Sequence, residues 1–351
     1  MSLACHPLRL PLSQPYTWSK GSHDSRETVL VADHGGWGEV AMPPHEPMAD
    51  VAEIAKWRLD AEAAPERIRA GLMGARLDGE AREQGTSLAE LLAARSGLTV
   101  RRVECNALIP VLPTRETTQA ARDAVEAGYR TIKVKSDGNR KHDVNRLRSL
   151  RNALPDVRLR WDPNGAYSPI WAADHLNDLA QFELEYVEDP VKGRAIERLI
   201  GRSPVPIAID EGATDIDAIA ESEARDVIVK PQRVGGPDAA AQVVQWCRDN
   251  DRHVTITNSL ESAVGRAHAL AVAALTQSAA GLATDTFLGL DVAELPSQPI
   301  MEAKGPGIGI DPVIPDEARW TPPVKDEADE DDAAAKAADA PPAKRMFSRR
   351  K

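Results

Sequence analysis

The sequence predicts an α/β fold centred on a closed barrel of parallel strands and helices, and three observations lead there. Short apolar runs of strand character alternate with runs of helical period through the middle of the chain. Such alternation implies parallel pairing through right-handed crossovers. The 351 residues exceed one ordinary core but suit a barrel with a smaller domain beside it. Charged residues also recur at the ends of successive strands, about one per strand–helix unit.

The start, MSLACHPLRLPLSQPYTW, is broken by prolines and lacks a continuous apolar stretch for export. GGWGE at 35–39 has the wrong spacing for a dinucleotide-binding glycine loop and reads as a hairpin or loop in a domain preceding the barrel. TIKVK at 131–135 reads as a strand with Lys133 and Lys135 on one face and Ile132 and Val134 on the other. Taken alone, that pattern also describes an edge strand with its lysines in water. KHDVNRLRSLRNAL follows, with Val144, Leu147, Leu150 and Leu154 returning at helical spacing. VRLRWDPNG reads as strand and turn, WAADHLNDLAQF as helix, LEYVEDP as strand and AIERLIGR as helix. VPIAIDEG, DIDAIAESEA, DVIVKPQRVGG and PDAAAQVVQWCRDN continue the alternation, and HVTITNSLES, AVGRAHALAVAALTQS and GLATDTFLG complete it. An open doubly wound sheet is the competing arrangement of the same elements.

Composition excludes several classes of function. Hydrophobic residues make up 42% of the chain, yet no apolar run approaches the roughly 18 residues that span a bilayer. The reading is a cytoplasmic protein without a membrane span. A net charge of −11 argues against general nucleic-acid affinity. Cys5, Cys105 and Cys247 are too few and too scattered for a disulfide framework or a zinc site. From residue 324 an acidic block, Asp326 to Asp332, precedes a basic end, Lys344 to Lys351; this tail has too little apolar surface to offset its ordering entropy and is expected to be disordered. His142 and His175 are expected at the surface and His253 as a packing residue. The oligomeric state stays open.

The strand ends carry the chemistry. Lys133 and Lys135 close one strand, Asp162 and Asn164 the next, then Glu188 and Asp189, Asp210 and Glu211, and Lys230. In a parallel barrel these ends open onto one mouth, where barrel active sites lie. Singly, each acid also fits a cap, a turn or an ion pair; Asp162 could simply turn the chain with Pro163 and Gly165. Positions 135, 162, 188, 210 and 230, however, step by 27, 26, 22 and 20 residues, about one unit each. Three carboxylates sheltered together repel one another unless a cation neutralises them. Oxygen ligands without Cys or His favour Mg²⁺. A lysine near a metal and a second lysine can be lowered in pKa until it acts as a base.

KVK, DPN, VEDP, IDEG and VIVKPQRVGG at these intervals resemble the enolase superfamily, in its muconate-lactonising subgroup, and most of all its o-succinylbenzoate synthases. Use of a Lys or His base with Mg²⁺ in that superfamily is a general scheme. The likeness runs over roughly residues 20 to 320; MGARLDGEAREQGTSLAELLA at 73–93 resembles the stretch joining cap to barrel, and NSLESAVG at 258–265 the seventh-strand loop.

The resemblance implies a modified (β/α)7β-type TIM barrel with an α+β capping domain. The cap would take residues 1–100, the barrel 101–292, and 293–323 would return to the cap, leaving the tail 324–351. It implies Asp162, Glu188 and Asp210 as ligands of Mg²⁺, with Mn²⁺ as a substitute, Lys135 as base and Lys230 as the opposing lysine. Lys133, Asn164 and Glu211 would support the site, and Ser259, Ser262 and Gly265 would contact a succinyl arm. Ordinary loop capping of a helix explains the last three equally well. The implied activity is a dehydration that forms o-succinylbenzoate for menaquinone, from a small-molecule carboxylate substrate. Asp189, Gly212 and the residues Pro231, Gln232 and Arg233 depart from the usual pattern and bear on the substrate. Racemisation of N-acylamino acids or epimerisation of dipeptides uses the same two lysines. More distant alternatives are a Schiff-base aldolase acting through Lys230 and a non-catalytic barrel that binds a partner through its tail.

Overall fold

Three strands, β1 (Ala4–Trp18), β2 (Gly21–Asp33) and β3 (Gly36–Val40), form an antiparallel sheet in that order. This computed structural model describes residues 2–18, 21–43 and 46–321. The prolines of β1 suit its place at the sheet edge, where a missing N–H is tolerated. His34 and Gly35, at φ 54° and 83°, make the two-residue turn from β2 to β3, a backbone whose twist matches the flanking strands. GGWGE, expected as a hairpin or a loop, is thus the turn and second strand of a hairpin.

Helices α1 (Val51–Trp57) and α2 (Glu66–Gln84) cover this sheet, and α3 (Leu88–Ser96) follows, buried in the main core. β3 and α2 meet backbone to backbone: a methyl group at Gly38 would lie 1.9 Å from the Gly71 carbonyl oxygen. Only glycine permits that approach. Asp78 of α2, fully buried, accepts from the Trp37 N–H at 2.8 Å and from the Ile308 N–H at 2.7 Å, so one carboxylate ties β3 and the C-terminal segment to α2. A capping box between Ser87 and Glu90 starts α3.

The barrel follows. After β4 (Val103–Glu104), which lies in a separate two-stranded sheet, its elements are β5 (Asn106–Ile109), α4 (Thr114–Glu126), β6 (Thr131–Lys135), α5 (Arg140–Ala153), β7 (Arg158–Asp162), α6 (Ala172–Leu179) and β8 (Tyr186–Glu188). Then come β9 (Ile207–Ile209), α7 (Ile216–Glu221), β10 (Asp226–Val229), α8 (Pro237–Asp249), β11 (His253–Ile256) and α9 (Ala263–Ala273). Strands β5 to β11 lie in sequence order in one curled parallel sheet. Ala280 and Gly281 form parallel bridges to Cys105 and Thr257, so this segment takes the eighth position and closes the ring. AIERLIGR, expected as a helix, is only a short 3₁₀ segment, Gly193–Arg198.

Strand period decides which side chains face the helices. Ile132, Val134, Leu159, Trp161, Val187, Ile209, Val227 and Val229 point outward into the main core. Tyr186, Ala208 and Ile228 form a separate cluster inside the barrel. Two residues after each of these three, on the same inward face, stand Glu188, Asp210 and Lys230.

After the barrel, β12 (Ile300–Met301) pairs with β4, and the Leu88 N–H donates to the Gly307 carbonyl at 2.7 Å. The expected tail, 324–351, lies outside the described residues. His142 is exposed as expected; His175 is instead buried, stacked on Tyr167 at 3.8 Å, and His253 is exposed beside Asp226. Among the described residues no helix is long and apolar enough to cross a membrane.

Candidate active site

A cavity of about 540 Å³ opens at the carboxyl ends of the strands, lined by Lys133, Lys135, Glu188, Asp210 and Lys230 among others. Its size is usual for a small-molecule site. Counting the closing segment as position eight, β6 and β10 are strands two and six, diametrically opposed. Lys135 and Lys230 therefore rise from opposite walls. The edge-strand reading of TIKVK is excluded, because β6 pairs on both sides, with β5 and β7.

Between the lysines lie three buried carboxylates on consecutive strands, Asp162 (0% exposed), Glu188 (2%) and Asp210 (3%). Lys133 bridges two of them, with Nζ 2.9 Å from Asp162 Oδ2 and 2.6 Å from Glu188 Oε2. Lys135 Nζ donates to Asp162 Oδ2 at 2.6 Å and to Asn164 Oδ1 at 2.8 Å. Asn164 reaches that position through a tight turn: its N–H donates to Asp162 Oδ1 at 2.9 Å and its φ is 48°, a conformation asparagine tolerates. Across the cavity, Asp210 accepts from Lys230 Nζ at 2.5 Å and from Arg233 at 3.0 Å. Asp189, also left-handed at φ 39°, receives the N–H groups of Asp210 and Glu211 at 3.0 and 2.8 Å. Glu211 itself is exposed on the lining.

Burial and the close mixture of acids and cations set the electrostatics of the site. Burial raises the Asp162 carboxyl, but Lys133 and Lys135 outweigh it and hold the group below its usual range. Asp210 is likewise lowered, its burial outweighed by Lys230 and Arg233. Burial and then the Asp162 and Asp210 charges push Glu188 up to about 8, against Lys133. Burial and Asp210 push Asp189 up to about 7. Burial opposes the charge on Lys133, yet Asp162 and Glu188 raise its ammonium well above the ordinary lysine range.

These residues suit a hard divalent cation in their chemistry: the donors are carboxylate oxygens, and a positive nitrogen already lies between Asp162 and Glu188. As they stand, no three His, Cys, Asp or Glu side chains among the described residues are grouped closely enough to hold a metal. An ion would replace the ammonium contacts that now bridge the acids.

Of the three residues expected at a succinyl arm, Ser259 lines the cavity and the other two do not. Ser262 is buried, its hydroxyl donating to Glu39 Oε2 at 2.6 Å while it caps α9 at the Val264 N–H. The Gly265 N–H donates to the same Glu39 oxygen at 2.9 Å. Their partner lies on β3, more than two hundred residues earlier, which no local pattern reveals. Sequence reading also missed Arg67 of α2, Asn106 of β5 and Asn258, all on the lining. Arg67 has no distinguishing local signal; it reaches the cavity because α2 sits on the barrel, where Arg69 binds Asp238 at 2.7 Å and Gln232 Nε2 donates to the Glu39 carbonyl at 2.6 Å.

Comparison with known proteins adds an independent line. The model of a family described as enolase C-terminal domain-like matches residues 116–316. An o-succinylbenzoate synthase of Geobacillus stearothermophilus is 29% identical over 306 residues, covering 76% of this chain and 80% of that protein. One from Thermobifida fusca is 36% identical over 213 residues, 56% of this chain and 64% of that protein. An N-succinylamino acid racemase of Amycolatopsis is 29% identical over 345 residues, 87% of this chain and 93% of that protein. Among solved structures, a dipeptide epimerase from Enterococcus faecalis, complexed with Mg and a dipeptide, superposes with a TM-score of 0.77 at 20% identity, covering 88% of this chain and 98% of that one.

Proposed function

The chain belongs to the enolase superfamily, and from that premise we propose that it is an o-succinylbenzoate synthase. It removes water from 2-succinyl-6-hydroxy-2,4-cyclohexadiene-1-carboxylate to give o-succinylbenzoate, in menaquinone biosynthesis. The observation that carries this reading is the pair Lys135 and Lys230 on opposite walls, across three buried carboxylates. The synthase names of two relatives support the choice of reaction.

Asp162, Glu188 and Asp210 would hold Mg²⁺, or Mn²⁺ in its place, with Lys133, Asn164 and Glu211 supporting them. When bound, the ion supplies positive charge to the substrate carboxylate as negative charge builds there. Lys135, its Nζ oriented by Asp162 and Asn164, takes the proton from the carbon bearing that carboxylate. The same group then returns the proton to the departing hydroxide, so that water leaves and the ring becomes aromatic. Lys230, on the far side of the ring plane, offsets the developing negative charge.

Incubation of the purified protein with the cyclohexadiene carboxylate should raise the aromatic absorbance with Mg²⁺ and not in EDTA. No product under either condition excludes the synthase. A second reading, N-succinylamino acid racemase, is favoured by cations on both faces of one carbon and by the Amycolatopsis relative, which aligns over most of the chain. Exchange of the α-proton of an N-succinylamino acid in deuterated water distinguishes it. Borohydride trapping of an adduct on Lys230, with turnover in EDTA, would point instead to an aldolase.

A further inference from the structure

Among the described residues, five cations besides the exposed Lys192 line the cavity, and four of them are already paired. Lys133 and Lys135 are bound to Asp162 and Glu188, and Lys230 and Arg233 to Asp210. Arg67 differs. It stands in the first turn of α2, on the wall contributed by the N-terminal layer, and is half-buried. One of its nitrogens donates to the Ala41 carbonyl at 2.7 Å; among the described residues it has no carboxylate within ion-pairing distance. Burial, the largest influence, lowers its guanidinium; Glu261 opposes that shift, and the like charges of Arg233 and Arg26 add to it. A half-buried guanidinium on the cavity wall, with one nitrogen on a carbonyl and no ion pair among the described residues, keeps donors for a planar anion.

Resting on the synthase reading, we infer that Arg67 is the specificity residue that holds a second carboxylate of the substrate, at the wall opposite the strand ends. The substrate class is then a dianion: one carboxylate goes to the Asp162, Glu188 and Asp210 end, and the other, at the tip of a flexible arm, to the α2 wall. Ser262 and Gly265 cannot take this part, since Glu39 occupies both. The bond to Ala41 fixes the guanidinium before any ligand arrives, which reduces the ordering a bound arm must meet.

The test is calorimetric titration of the full-length, Mg²⁺-loaded protein with 2-succinylbenzoate and with 2-butyrylbenzoate, which has a methyl group in place of the distal carboxylate. A charge-assisted contact is worth about ten- to a hundredfold in affinity, so wild-type protein should prefer the succinyl compound by that factor. Arg67→Gln should abolish the preference while leaving the butyryl affinity unchanged, an internal check that the site is still formed. Arg67→Lys, charged but without the fork, should fall between. Retained preference in Arg67→Gln, equal binding of both compounds by wild type, or equal loss for both in the variant would each overturn the role of Arg67 and leave the synthase reading standing. Binding of neither compound by the wild type would overturn both.

Discussion

Arg146, buried on α5, donates to the main-chain carbonyl of Lys135 at 3.0 Å and to the Asp143 carboxylate at 2.8 Å. Asp143, fully buried, also receives the Ser136 hydroxyl at 2.7 Å, the Tyr167 hydroxyl at 2.8 Å and the Trp161 indole N–H at 3.2 Å. Ser136 follows Lys135 and Trp161 precedes Asp162, so one carboxylate behind the sheet fixes the ends of β6 and β7 together. Arg146→Met removes the arginine charge from a buried carboxylate whose other ionisable neighbour is the His175 ring at 3.3 Å, at a cost of about 3 kcal/mol. Urea unfolding should show the loss, together with reduced turnover in the surviving folded fraction. An unchanged unfolding midpoint would refute the linkage.

Lys135→Ala should lower turnover by at least about a hundredfold, the ordinary contribution of a positioned base. The fold should survive, because Lys133 still pairs with Asp162 and the outward side chains Ile132 and Val134 are untouched. Lys230→Ala should also be severe, with Arg233 remaining as the partner of Asp210. Near-normal turnover of either variant, with circular dichroism unchanged, removes that lysine from the proposed mechanism.

What the sequence disclosed and what it hid divide along a physical line. The inward lysines of TIKVK were legible because strand period is local, and the steps from Lys135 to Lys230 were legible because each crossover has a near-constant length. Asp189 looked like a departure at a strand end, and the structure gives it a partner set, the N–H groups of the next strand's end. Ser262 and Gly265 were misleading for the opposite reason. Their loop sits where loops contact substrates, yet a methyl group at Gly265 would fall 2.5 Å from Glu261 Cβ and 2.8 Å from Glu39 Oε2. That packing depends on a β3 residue whose approach no periodicity encodes. His175 failed similarly: its helix turns it onto Tyr167, and only the neighbouring β7 turn places Tyr167 there.

Asp210→Asn keeps the shape of the side chain and removes one negative charge from the three-carboxylate set. Mg²⁺ affinity, measured by calorimetric titration, should fall at least about tenfold, since each carboxylate is a large share of the charge available to a hard ion. Lys230 and Arg233, both bound to Asp210 now, lose their shared anion and press the ion further. Unchanged Mg²⁺ affinity would take Asp210 out of the proposed ligand set.

Glu261 gives a dependence on pH that is separate from the strand ends. Its carboxyl is buried and raised above the usual glutamate value of about 4.5, by desolvation first and by Glu39 second, with Arg26 opposing. One oxygen accepts the Ser259 N–H at 2.7 Å, and the other has no partner among the described residues. Because the folded pKa lies above the unfolded one, the folded chain keeps this proton over a range in which the unfolded chain has released it. The native state binds more protons there, so this group's contribution to stability declines as pH rises from about 4.5 to the folded value, then levels off. Glu261→Gln can still accept from Ser259 and cannot ionise. Its urea midpoint, compared with wild type at steps from pH 4 to pH 8, should therefore lack this decline, the variant gaining relative to wild type as pH rises. A constant difference between the two proteins across the series would mean that Glu261 does not titrate as its burial demands.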